Sequence, residues 1–202
     1  MGSKRKPVKK KNKRQRIAFG IVAAVLILAG IVWYSGSQSG YSQGNGSAPQ
    51  VGSQAPDFTL RSYQGRTYQL SALKGQKVVL FFTEGVMCYP ACWDQIKAFS
   101  TDARFRQEGI VVLAMTVDRA QDWENAAKQD PQVTQGISIL LDTSKKVARA
   151  YRALDLPSSM HRGISPGHTY ILIDGNGVIR TMVDDPEMGI RNDDVWNQMA
   201  NF

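Results

Sequence analysis

The chain has 202 residues and a formal net charge of +8, with 25 Lys and Arg against 17 Asp and Glu. Nine of the basic residues and no acidic one fall in residues 1–16, which leaves 16 bases against 17 acids in the rest. The charge belongs to a tail, and a basic surface for nucleic acid is excluded from the folded part.

After this tail comes Ile17 to Tyr34, a run of 18 uncharged, mostly apolar residues. As a helix rising roughly 1.5 Å per residue it spans about 27 Å, close to a bilayer core. Trp33 and Tyr34 suit the far interface, and the basic tail sets the orientation. The expected arrangement is a single-pass anchor in the cell membrane, with residues 1–16 cytoplasmic and everything after Tyr34 extracytoplasmic. The competing reading is a cleaved signal peptide, whose apolar region usually runs about 7 to 15 residues before an A-x-A-like site. This run is longer and is followed only by the weak site "SGS". Residues 35–50, rich in Ser, Gly, Gln and Asn, read as a flexible linker. Residues 51–202 then form one domain, long enough to bury a core of its own.

Within that domain, "FTLRSYQGRTYQL" alternates apolar and polar residues around a glycine and predicts a hairpin. Lys77 to Thr83 is a continuous apolar run, which predicts a central strand buried on both faces. From Pro90 onward, Ile96, Phe99 and Ala103 recur at helical spacing. Ile110 to Asp118 predicts a second buried strand and residues 121–129 a helix. Residues 137–142 follow as a short strand. A helix over 143–154 is expected, with Val147, Ala150, Tyr151 and Leu154 on one face. "HTYILIDGNGVIRTMV" reads as two strands joined by a tight turn at "GNG". A last helix opens at "NDD", with Asn192 or Asp193 as its cap. Strands alternating with helices, plus a hairpin at each end, give an α/β class with a mixed central sheet.

The chain's two cysteines, Cys88 and Cys92, lie where the central strand hands over to a helix. Pro90 fixes φ and lacks an N–H, which suits the first turn of a helix. Both sulfurs then sit at the electropositive helix entrance, where a thiolate is stabilised and becomes nucleophilic. Residues i and i+4 on a helix are about 6 Å apart, within the disulfide window. A loop that short gains little from cross-linking, so a reversible redox pair is better motivated than a structural staple. Outside the cytoplasm such a bond also persists once formed.

"VGSQAPDFTLRSYQGRTYQLSALKGQKVVLFF", "LLDTSKKVARAYRAL" and "HTYILIDGNGVIR" resemble the alkyl hydroperoxide reductase / thiol-specific antioxidant family of peroxiredoxin-like redoxins. The resemblance runs from about Val51 to Arg180. It implies a thioredoxin-like fold and a thiol-dependent oxidoreductase, acting on a protein disulfide or a hydroperoxide with a separate thiol reductant. Of the peroxiredoxin pattern P-x-x-x-T-x-x-C only Pro90-Ala91-Cys92 remains, with Gly85 and Tyr89 at the Pro and Thr places. Against the thioredoxin pattern C-x-P-C the second cysteine comes one residue late. The nucleophile is Cys88 on the thioredoxin alignment and Cys92 on the peroxiredoxin one. For disulfide chemistry we expect Cys88 to attack and Cys92 to resolve.

A further likeness, to the membrane-tethered Sco-type copper chaperones, makes Cys88, Cys92 and His168 an alternative soft-metal set for copper. Without it no cofactor is expected. The redoxin resemblance also implies a cis-proline in the loop before a late strand, for which Pro166 is the candidate. His168 is then a candidate proton donor, and Glu84 a candidate buried carboxylate that moves protons between the cysteines. Tyr89 and Trp93 could dock a partner, and Met87 is a lone soft sulfur beside Cys88. Nothing in the chain resembles a Walker loop, a dinucleotide-binding glycine motif or a serine nucleophile elbow.

Overall fold

The computed structural model describes residues 48–202; the expected tail and membrane span, and the linker up to residue 47, lie outside the described residues. Among the described residues no helix is long and apolar enough to cross a membrane. Thr59–Arg61 (β1) and Thr67–Gln69 (β2) pair antiparallel as the expected hairpin, but form a sheet of their own. The hairpin is fixed beside the main sheet by the Ser62–Leu140 bridge and a 2.6 Å bond between the hydroxyls of Tyr68 and Ser138.

Val78–Phe82 (β3) is buried at every position. It is followed by the helices Ala91–Thr101 (α1) and Ala103–Gln107 (α2), the strand Val111–Thr116 (β4) and the helix Ala120–Gln129 (α3). Ser138–Leu141 (β5), the short helix Lys146–Ala150 (α4), the strands Thr169–Ile173 (β6) and Ile179–Asp184 (β7), and the helix Asn192–Ala200 (α5) complete the order. The five main strands lie in the order β5-β4-β3-β6-β7. β3, β4 and β5 run parallel, β6 is antiparallel to β3, and β7 is antiparallel to β6. This is the mixed α/β sheet the sequence calls for.

Side chains alternate across the strands. Val79, Phe81, Ala114, Tyr170 and Leu172 face a cluster with Trp93, Ile96 and Phe99 of α1, Trp123 of α3 and Val195 of α5. Leu80, Phe82, Leu113, Met115 and Ile171 face Val147, Tyr151 and Leu154 on the other side. Both faces of β3 are therefore covered, which is why its sequence shows no polar alternation.

Three elements differ from expectation. The long helix from Pro90 breaks at Asp102, whose extended backbone and side chain cap α2 through the Arg104 N–H at 3.1 Å. The helix expected over 143–154 is only Lys146–Ala150, because Arg152 takes a left-handed φ of 54° and ends it. Ala148 is buried there in place of Ala150. Neither Asn192 nor Asp193 caps α5; Arg191 holds that position, and the Asn192 amide turns inward instead.

Candidate active site

Sheet register brings the site together. Phe82 pairs with Thr169, so the residues just beyond, Thr83 and His168, emerge side by side at the carboxyl end of β3. Thr169 pairs in turn with Asp184, and the Asp185 N–H donates to the His168 carbonyl at 2.9 Å, bringing in the segment after β7. The carboxyl edge of parallel strands is where α/β sheets expose functional groups.

The chain leaves β3 through Thr83 and Glu84 and makes a short 3-10 turn at Gly85–Met87. Gly85 has φ +72°, and a Cβ there would collide with the Asp118 carboxylate and the Thr116 hydroxyl. Only glycine fits. The Asp118 carboxylate accepts the Val86 N–H at 2.8 Å and the Thr116 hydroxyl at 2.8 Å, pinning the turn to the end of β4. Burial pushes the Asp118 carboxyl above its ordinary pKa, with these hydrogen bonds opposing.

Cys88 follows this turn and Cys92 is the second residue of α1, with Pro90 at the N-cap, one position ahead of the first turn the sequence suggests. The two cysteines form a disulfide with a Cα–Cα distance of 5.4 Å. The Cys92 N–H donates to the Cys88 carbonyl at 3.0 Å, so the ring closes over the helix entrance. The cis peptide expected at Pro166 is not there: among the described residues the cis bond is Tyr89–Pro90. Pro166 is a buried trans residue of the segment leading to His168.

Cys88 is 3% exposed and Cys92 is fully buried, yet their neighbours Met87 and Tyr89 are 56% and 68% exposed. Both cysteines are buried, but each sulfur has a heteroatom beside it. Cys92 Sγ lies 3.8 Å from His168 Nδ1, and Cys88 Sγ lies 3.9 Å from Met188 Sδ. Met188, with a left-handed φ of 52°, is the soft sulfur at the site; Met87 points to solvent. Tyr89 packs edge-on against the buried Trp93. His168 is fully buried, packed edge-on against Phe81 at 4.7 Å. Burial above all lowers its pKa to about 4, with Asp185 and Asp184 opposing and Arg191 adding to the effect. At neutral pH it is an uncharged imidazole.

Glu84 is buried as expected, but its bonds go to the 155–167 segment. Its Oε1 accepts the Ser159 hydroxyl at 3.2 Å and the His161 N–H at 3.0 Å, while Oε2 has no partner. His161 also brings Nδ1 within 3.3 Å of Oε1. The same segment is tied to β7, where Ser158 donates twice to the Asp184 carboxylate. Glu84 thus anchors the segment that delivers His168.

Cys88, Cys92 and His168 have donor atoms within 4.8 Å of one another, and this is the one grouping of that kind among the described residues. With the sulfurs joined, neither is a thiolate, so a soft cation would require the reduced state. The sequence reading missed Asp118, Met188, Gln95 and Tyr170. Two of these carried a signal. Gln95 stands one helical turn after Cys92, and Tyr170 shares a strand face with His168.

The description "AhpC/TSA family" matches residues 51–182. A putative chloroplastic peroxiredoxin Q of Oryza sativa subsp. indica is 31% identical over 130 residues, or 64% of this chain, which spans 56% of the rice protein's length. The thiol-disulfide oxidoreductase ResA of Geobacillus thermodenitrificans is 27% identical over 171 residues, covering 85% of this chain and 88% of that protein. In fold, the chain is similar to the peroxidoxin BcpB of Mycobacterium tuberculosis, with a TM-score of 0.63 at 20% identity over 76% of this chain and 98% of the other.

Proposed function

We propose, starting from the fact that this chain belongs to the AhpC/TSA family, that Cys88 and Cys92 cycle between dithiol and disulfide to reduce a thiol-reactive substrate. The observation that carries this reading is the disulfide closed across the mouth of α1, with one sulfur beside exposed residues and the other beside a neutral imidazole. In the reduced protein the Cys88 thiolate attacks one sulfur of a substrate disulfide. A mixed disulfide forms and the other substrate sulfur leaves as a thiolate. Cys92 then attacks Cys88 Sγ, re-forms the internal bond and releases the second substrate thiolate. Two electrons pass from the dithiol to the substrate, and a separate thiol reductant restores the protein. With a hydroperoxide the roles exchange: Cys92 takes the oxygen as a sulfenic acid, and Cys88 condenses with it to lose water. Anchoring by residues 17–34 would place this chemistry outside the cytoplasm, at the membrane surface.

The test is a trapping experiment with an aryl disulfide. Cys92→Ser should accumulate the mixed disulfide on Cys88, whereas Cys88→Ser should form adduct slowly or not at all. Equal trapping in the two variants, or turnover surviving either change, would overturn the assignment.

A further inference from the structure

A polar chain passes through the otherwise apolar layer beneath α1, and the direction of every bond in it is set by chemistry at its far end. Asp102 is ionised, because its bonds from Arg104 foremost hold its pKa at about 2; it only accepts. The Asn192 side chain meets Asp102 Oδ2 and the Ala98 carbonyl, both at 3.0 Å, so the atom facing them is the amide nitrogen. Its Oδ1 therefore faces Gln95, whose Nε2 donates at 2.8 Å. Gln95 Oε1 then accepts the Arg191 backbone N–H at 2.7 Å, an independent check on the same orientation. It also accepts the Tyr170 hydroxyl at 2.9 Å. The other acceptor near that hydroxyl is the Gly189 carbonyl, at 3.5 Å, so the Tyr170 hydrogen points away from His168 in either case. Burial raises the Tyr170 pKa, and the phenol stays protonated. What remains for His168 Nε2, 2.8 Å from the phenol oxygen, is to donate. Nδ1 is then the bare nitrogen, and it is the atom facing Cys92 Sγ.

We propose that Gln95 and Tyr170 are positioning residues of the thiol chemistry: they lock His168 in its Nε2–H tautomer, so that Nδ1 receives the hydrogen of the Cys92 thiol when the disulfide is open. The inference rests on the thiol-exchange reading of the site. In the resolving step the Cys92 S–H bond breaks and an Nδ1–H bond forms. The Cys92 electron pair then makes the bond to Cys88 Sγ, and the departing substrate thiolate takes the proton from Nδ1. No group outside the chain and the substrate is needed. Because all the bonds run one way, from sulfur toward Asp102, each polarises the next.

The full-length chain holds only two histidines, His161 and His168, so imidazole nitrogen and carbon shifts in a histidine-labelled sample are assigned by comparison with a His168→Gln variant. The oxidised wild type should show His168 as the Nε2–H tautomer. Tyr170→Phe should mix the tautomers, and it should slow the second, resolving release from an aryl disulfide by about tenfold with the first release unchanged. Gln95→Leu, which frees the Tyr170 hydroxyl to turn, should act in the same direction. An Nδ1–H tautomer in the wild type overturns the proposal. So does a wild-type resolving rate in Tyr170→Phe, or, should that variant not fold, in Gln95→Leu. Failure of the wild type to release any aryl thiolate would instead refute the thiol-exchange reading, and with it the role given to these residues.

Discussion

The buried imidazole ties folding stability to pH. Its pKa is 6.5 in an unfolded chain and about 4 in the folded one. The folded value is the lower, so on acidification the unfolded state binds the proton first. The stability this group confers is full above pH 6.5 and is lost as the pH falls toward 4. At about 1.4 kcal/mol per pH unit the whole window corresponds to on the order of 3 kcal/mol. About 2 kcal/mol of that should be lost between roughly pH 7 and 4.5, before the carboxylates that the fold holds below their ordinary values begin to titrate. Asp118 and Asp142 work against the trend. Burial, their largest influence, raises both, so they favour the folded state as the pH falls and mask part of the His168 slope.

The clean measurement is therefore a difference. Denaturant midpoints of the oxidised wild type and of His168→Gln are followed over that range, each converted to free energy with its own denaturant slope. Asp118 and Asp142 are common to both proteins and cancel. The variant starts less stable, because it loses the packing of the imidazole on Phe81, but its curve should be flatter by about 2 kcal/mol on the acid side. Parallel curves would refute the claim that burial holds His168 neutral in the folded, oxidised protein, where no thiolate stands beside it to balance an imidazolium charge.

Three other outcomes follow from the same geometry. Gly85→Ala places a Cβ against Asp118 in a left-handed backbone and should cost about 3 kcal/mol in thermal or denaturant unfolding; a loss within error of zero would mean the turn is not pinned as described. Glu84→Ala strips the acceptor from Ser159 and His161 and should cost about 2 kcal/mol, whereas Glu84→Gln keeps a carbonyl there and should cost less; equal losses would show that charge, and not the acceptor, holds the segment. Reducing the disulfide, whose cysteines are four positions apart, should lower stability by no more than about 2 kcal/mol, and a much larger drop in denaturant midpoint would mark a structural staple.

The sequence made the framework legible because long-range burial leaves a local trace. Val78–Phe82 has no polar alternation, and "GNG" marks the β6–β7 turn. It also placed Cys88 and Cys92 correctly, since Pro90 and the apolar strand before them fix the junction. Helix lengths were less legible. Nothing local shows that Arg152 takes a left-handed conformation, or that Asn192 is drawn from α5 toward Asp102 across a sequence gap of 90 residues. Pro166 illustrates the same limit, since a resemblance gives a loop its place but not the isomer of its peptide bond. The polar chain was invisible because each link joins a different element, and only the sheet register brings Tyr170 and His168 beneath α1.

The two sulfurs meet the same helix entrance but stand in different chemistry. Cys88 lies in the loop ahead of α1, itself 3% exposed but flanked in sequence by exposed Met87 and Tyr89. Cys92 lies inside the first turn with no exposed surface. A buried thiol cannot give its proton to water, and an uncompensated buried charge is expensive. It needs an acceptor built into the wall, and that acceptor must be uncharged beforehand and turned the right way. His168 meets the first condition through burial, and the Tyr170–Gln95–Asn192 chain meets the second. The division of labour proposed for the cysteines thus rests on where the helix begins relative to them: Cys88 stands ahead of the first turn beside exposed residues, and Cys92 inside it beside a buried imidazole.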